Sequence, residues 1–158
     1  GETVAVKPAF RGSFARHRCL IPASGFYEWQ AVAAGGKVRK QPWCVRPADP
    51  DGFFAFAGLL AAWKAPDGET IVTTCIVTTA ANALMAHIHE RMPAILRPEQ
   101  YEAWLDPANH DTGALETMIG PCGSETMCVS PVSPAINRGD VEGPHCIETV
   151  AVRSSPFE

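Results

Sequence analysis

Arg18-Cys19-Leu20-Ile21-Pro22-Ala23-Ser24-Gly25-Phe26-Tyr27-Glu28-Trp29 decides how this chain is read. Two short apolar runs, Arg18–Pro22 and Phe26–Trp29, flank the small residues Ala23-Ser24-Gly25, a pattern that predicts two strands joined by a turn. On a strand, side chains alternate between faces, so Phe26 and Glu28 share one side and Tyr27 and Trp29 the other. Glu28 therefore sits at an apolar side, where an unpaired carboxylate is costly. It is either a functional acid or the partner of a nearby arginine.

Working outward, Pro8 is placed to start a helix whose Phe10, Phe14 and Ala15 share a face through about Arg16. Residues 31–41 are small and basic and read as a flexible hairpin loop, with Trp43–Arg46 as the returning strand. Phe53–Trp63 is the most apolar run, and its Gly58 implies a bulge or a close backbone approach. Pro66-Asp67-Gly68 marks a turn into a β-branched strand over 70–79. Short helices are expected at Asn82–Ile88, Pro98–Leu105 and Asp111–Ile119, then strands near 125–132 and 147–150. Strands with short helices between hairpins, rather than regular βαβ alternation, imply an α+β fold around a mixed, barrel-like sheet.

At 158 residues, 46% hydrophobic and 19% charged, the sequence fits one domain, 1–158, large enough for a real core. No apolar run nears the roughly 20 residues that span a bilayer, so no membrane partner is expected. Six cysteines stand apart with no Cys-x-x-Cys pair. They are expected to be free and mostly buried, with no metal and no cofactor. The net charge of −4 hides an asymmetry: residues 1–40 carry Lys7, Arg11, Arg16, Arg18, Lys37, Arg39 and Lys40 against Glu2 and Glu28 alone. Interleaved with aromatics, such a stretch can contact phosphates and stack bases, or can simply be a solvated basic face.

A second segment, His87-Ile88-His89-Glu90-Arg91-Met92-Pro93, supplies an imidazole and a guanidinium before a proline that imposes an extended approach. A histidine near a helix end accounts for His87 through the helix dipole, but accounts less well for His89 and Arg91. A carboxylate and an imidazole are the usual partners for moving protons near neutral pH. The sequence has no Gly-x-Ser-x-Gly, phosphate loop or His-Glu-x-x-His, and none of its cysteines adjoins an obvious base.

In order, the sequence carries Cys19-Leu20-Ile21-Pro22-Ala23-Ser24-Gly25-Phe26-Tyr27-Glu28-Trp29, Phe56-Ala57-Gly58-Leu59, Ile76-Val77-Thr78-Thr79-Ala80-Ala81-Asn82, His89-Glu90-Arg91-Met92-Pro93 and Pro131-Val132-Ser133. This set resembles the SOS response-associated peptidase (SRAP) family, with its YedK-type and HMCES members, from Gly1 to about Val150. The resemblance implies capture of abasic sites in single-stranded DNA, within the SOS and DNA-damage response. A cysteine exposed as residue two attacks the opened sugar with its amine and thiol to give a thiazolidine crosslink. It implies Glu28 and His89 as proton-transfer residues. It further implies Arg91 on a phosphate, and Thr78 and Arg18 as further DNA contacts.

Family members begin Met-Cys-Gly-Arg and later carry Asn-Ala-Arg-x-Glu-Thr, whereas Gly1-Glu2-Thr3 matches only the tail of that second motif. The expectation is an SRAP domain lacking its N-terminal portion, inactive in crosslinking by itself. A monomeric cytoplasmic bacterial protein is expected, nucleoid-associated when bound to single-stranded DNA. Two alternatives stay open: a self-processing cysteine-dependent peptidase, and a non-catalytic single-strand-binding module.

Overall fold

The computed structural model describes residues 1–152 and Phe157. Helix α1 runs Pro8–Arg16, and β1 (Arg18–Ala23) and β2 (Phe26–Ala34) follow on either side of the expected turn. Then come β3 (Lys37–Pro47), β4 (Phe54–Lys64), β5 (Thr70–Ile76), β6 (Thr78–Ala80), β7 (Arg91–Pro93), α2 (Tyr101–Leu105), α3 (Thr112–Met118) and β8 (Met127–Pro131). Among the described residues the strands form two three-stranded sheets, β1-β4-β5 and β2-β3-β8, and a two-stranded ribbon of β6 and β7. The fold is α+β, with antiparallel sheets and no closed barrel among the described residues. No helix of the described residues is long and apolar enough to cross a membrane.

The chain divides into two units, and one of the boundaries between them falls inside β7. The first comprises Gly1–Ala23, Phe54–Ala80 and Met92–Cys122. Its core gathers Val4, Phe14, Ala57, Leu59, Val77, Ala94, Leu96, Trp104, Leu115 and Ile119, with Phe14 edge-on to Trp104 at 6.0 Å. β1 lies antiparallel to β4 in unbroken register from Arg18↔Leu59 to Ala23↔Phe54. Gly58 makes no bulge; it is the close approach. A Cβ there would stand 2.7 Å from Cys19 Sγ and 2.9 Å from Ile21 Cδ1. The single strand expected over 70–79 is two, because Val77 is buried in the core while every residue of β5 is exposed.

The second unit comprises Ser24–Phe53, Ala81–Arg91 and Gly123–Glu158, and Trp43, Val45, Met85 and Val132 are its most buried apolar residues. The loop expected over 31–41 is instead a continuous hairpin. β2 and β3 stay paired from Phe26↔Val45 to Ala34↔Lys37. Gly35 and Gly36 close it with φ of 59° and 75°, the mirror-image turn whose twist matches that of the strands. Ladder hydrogen bonding outweighs the weak strand preference of Ala, Gly and Lys. The helix expected at 82–88 is a single 3₁₀ turn, Met85–His87. The last expected strand is a 3₁₀ turn at Pro144–Ile147 and one isolated bridge, Val132↔Thr149.

All six cysteines are free, as expected, but only Cys44 is buried, and Cys75 and Cys128 are exposed. Cys75 lies on the outer strand of its sheet and Cys128 near the start of β8, where apolar sequence context does not amount to burial.

Candidate functional site

The entry into β2 is fixed by Gly25. A Cβ on that residue would lie 2.7 Å from the Val45 carbonyl oxygen, so only glycine lets the chain turn into register against β3. From there Phe26, Glu28 and Gln30 point to one face of the sheet, opposite Val45, Trp43 and Gln41. Glu28 is half-buried, and its Oε1 accepts the Trp29 backbone N–H at 3.1 Å. Among the described residues it makes no ion pair, so the arginine partnership left open by the sequence is not formed.

His89 stands at the end of a segment built around Asn82. The Asn82 Oδ1 accepts the Met85 N–H at 2.9 Å, its Nδ2 donates to Met127 Sδ at 3.7 Å, and its own carbonyl takes the Ala86 N–H. The Met85 carbonyl then accepts both Ile88 and His89 N–H groups, and Ala81 N–H bonds the Glu90 carbonyl, closing the segment on itself.

The His89 Nδ1 lies 3.1 Å from the Arg91 N–H and 3.2 Å from the Arg91 carbonyl. Unprotonated, Nδ1 accepts from the amide; protonated, it donates to the carbonyl. The ring is thus held at one edge in either protonation state. Among the described residues its Nε2 has no hydrogen-bond partner.

Gln30 joins these two elements. Its Oε1 accepts the Trp43 indole N–H at 3.2 Å, and its Nε2 donates to the His87 carbonyl at 2.9 Å. A residue two beyond Glu28 on the same strand face therefore holds the backbone two residues before His89. His87 itself is exposed, and its ring meets Phe157 edge-on at 5.5 Å. Sequence reasoning missed Gln30 and the capping role of Asn82. The period-two spacing of Gln30 from Glu28 and the Asn-x-x-Met turn were the available signals.

The structure brings Glu28, His89 and Arg91 into one unit and leaves Thr78 and Arg18 in the other. Thr78 is exposed on β6. Arg18 is built into the framework: it is 7% exposed, and all five of its N–H donors reach backbone carbonyls, those of Phe14, Ala15, Trp104, Asp106 and Asn109, at 2.6–3.1 Å. Burial pushes its guanidinium below the ordinary value, and Asp106 opposes the shift.

On the opposite face of the β2-β3-β8 sheet a cavity of about 360 Å³ is lined by Tyr27, Cys44, Arg46 and Cys128 among others, and holds none of the candidates. Burial pushes the Cys44 thiol and the Tyr27 hydroxyl up, which keeps both protonated near neutral pH. Among the described residues no group of three or more His, Cys, Asp or Glu could hold a metal ion.

A family model described as SOS response associated peptidase (SRAP) matches residues 1–139. The chain is similar to the abasic site processing protein YoqW of Bacillus subtilis (strain 168), with 37% identity over 148 residues covering 94% of this chain and 64% of that protein. It is similar to the abasic site processing protein HMCES of Gallus gallus, with 31% identity covering 92% of this chain and 48% of that one. A crystal structure of a Bacteroides thetaiotaomicron protein superposes with a TM-score of 0.85 at 28% identity, covering 95% of this chain and 64% of that one. The chain thus spans less than two thirds of the length of each of these relatives.

Proposed function

The chain belongs to the SOS response associated peptidase (SRAP) family, and from that premise we propose that it is the acid/base part of a protein that processes abasic sites in single-stranded DNA. One observation carries the reading. Among the described residues Glu28 is a half-buried carboxylate without an ion-pair partner, and Gln30 ties its strand to the segment whose His89 keeps Nε2 unbonded. YoqW and HMCES, named above, are abasic site processing proteins.

The chemistry follows from the abasic sugar, which opens to an aldehyde. An amine condenses with it, losing water to form an imine, and an adjacent thiol adds across the C=N bond to close a five-membered thiazolidine. In this reaction the amine and the thiol are those of the N-terminal cysteine that the family resemblance implies. Ring opening, loss of water and thiol addition each need a proton moved. Glu28 assists sugar opening and reversal, and His89 handles the proton on the opened sugar and imine. Arg91, half-buried beside His89, neutralises a neighbouring phosphate, and Thr78 lines the DNA path. Arg18 has no part in this site.

Full-length protein incubated with an abasic single strand should give an adduct that survives denaturing electrophoresis. Glu28→Gln and His89→Ala should each slow its formation or reversal about a hundredfold. Wild-type rates in both variants would remove the assigned roles. The family's description as a peptidase supports a second reading, amide hydrolysis by the same acid/base pair. Release of an N-terminal peptide that stops in Glu28→Gln, with no adduct on DNA, would favour it.

A further inference from the structure

The β2–β3 hairpin continues past the sheet that roots it. β8 pairs with β3 only from Trp43 to Pro47, whereas β2 stays with β3 out to Ala34↔Lys37. Beyond Gln30↔Gln41 the hairpin is a two-stranded arm, and Ala31, Ala33, Lys37, Val38, Arg39 and Lys40 are all exposed on it. No acidic residue occurs between Glu28 and Asp49. Among the described residues Lys37, Arg39 and Lys40 make no ion pair and no side-chain hydrogen bond.

Register divides these cations between two faces. Arg39 stands opposite Val32 and Lys37 opposite Ala34, which puts both on the face that carries Glu28 and Gln30. Lys40 stands opposite Ala31, on the reverse face with Trp29. The reverse face is also where the root is braced: the Trp29 indole N–H donates to Asn137 Oδ1 at 2.7 Å, and Asn137 Nδ2 donates to the Lys40 carbonyl at 3.2 Å. At the rise of a strand, the Arg39 rung lies about 13 Å and the Lys37 rung about 20 Å beyond Glu28.

We propose that this face of the β2–β3 arm is a track for the DNA backbone, on which Arg39 and Lys37 hold phosphates of the strand leading away from the abasic nucleotide. The inference rests on the function proposed above and gives it a direction. DNA runs out along the arm on one side of the lesion. Arg39 presents a planar fork to a phosphate and Lys37 a mobile point charge, so the track recognises backbone and not sequence.

The test uses full-length protein and single strands carrying an unreactive abasic analogue, so that binding is read apart from crosslinking. Affinity is measured against salt, on oligonucleotides extended to the 5′ or the 3′ side. The double variant Lys37→Ala/Arg39→Ala should bind about tenfold more weakly near 0.1 M salt and lose about 1.4 units of salt slope, some 0.7 per phosphate contact. Lys40→Ala should stay close to wild type. The loss should vanish when the oligonucleotide is trimmed back to the abasic nucleotide on one particular side. A double variant with wild-type affinity and slope overturns the track while leaving the proposed function standing. So does a Lys40→Ala loss equal to that of the double variant. A wild-type protein that binds none of these strands overturns both.

Discussion

Arg18 and Arg39 come from one basic stretch of sequence, and the two units use them in opposite ways. In the first unit, α1 and α2 both end near Arg18, and a helix end leaves its last carbonyls without intrahelical partners. Arg18 collects them: Phe14 and Ala15 from α1, Trp104 and Asp106 from the end of α2, and Asn109 beyond it. The arm of the second unit is a two-stranded ribbon that runs past its sheet; among the described residues no helix end is brought against Arg39, which stays exposed. What separates a structural arginine from one available to a ligand is whether the fold brings several unpaired carbonyls together around its guanidinium. Charge counting along the sequence does not see this.

The comparison breaks most visibly at Arg18. Arg18→Ala removes the cap of two helix ends and strands buried carbonyls, and should lower the stability of the first unit by about 3 kcal/mol or more. Arg18→Lys should recover only a small part, because one ammonium cannot reproduce a planar fork with five donors. Arg39→Ala should leave the urea midpoint close to wild type, since surface changes away from such networks are usually within about 0.5 kcal/mol. Equal costs at the two positions would end the distinction.

The second test sets glycine against glycine. Gly58 is needed for space: its missing Cβ leaves room for Cys19 Sγ and Ile21. Gly58→Ala should cost about 2 kcal/mol through overpacking between β1 and β4. Adding Cys19→Ala should return part of that loss, measurable as a coupling in a double-mutant cycle. Strictly additive costs would mean that contact with Cys19 is not the cause.

These cases also show where the sequence was legible. Pro8 and the spacing of Phe10 and Phe14 located α1, and the apolar runs around Ala23-Ser24-Gly25 located β1 and β2, because local periodicity and turn chemistry were decisive there. Period two also put Glu28 on the face of Phe26, across from the buried Trp43. The outer hairpin was not legible, since Ala31-Val32-Ala33-Ala34 and Lys37-Val38-Arg39-Lys40 carry little strand preference, and only cross-strand pairing makes them strands. Gln30 and the framework role of Arg18 were missed for a common reason. Their roles are bonds to backbone of residues distant in sequence, His87 for one, Trp104 and Asp106 for the other, and no local pattern announces such partners.

The smallest effect is expected at the tip of the arm, where glycine is needed for backbone conformation and not for space. A Cβ at Gly35 or Gly36 would meet nothing within 4 Å, but both residues have φ in the left-handed region. Gly36→Ala should therefore cost about 1 kcal/mol, read as faster amide exchange along Lys37–Lys40 with the core amides unchanged. Gly35→Asn should be tolerated within about 0.5 kcal/mol, because Asn-Gly is a favoured pair for this turn. If Gly36→Ala instead lowered the midpoint as much as Gly58→Ala, the arm would be coupled to the cores as tightly as β1 is to β4. Its role as a separately ordered, charged ribbon would then be lost. If exchange quickens along the arm alone, the same variant should weaken binding to long abasic strands while sparing short ones, because the two front-face cations would no longer be held at fixed spacing from Glu28.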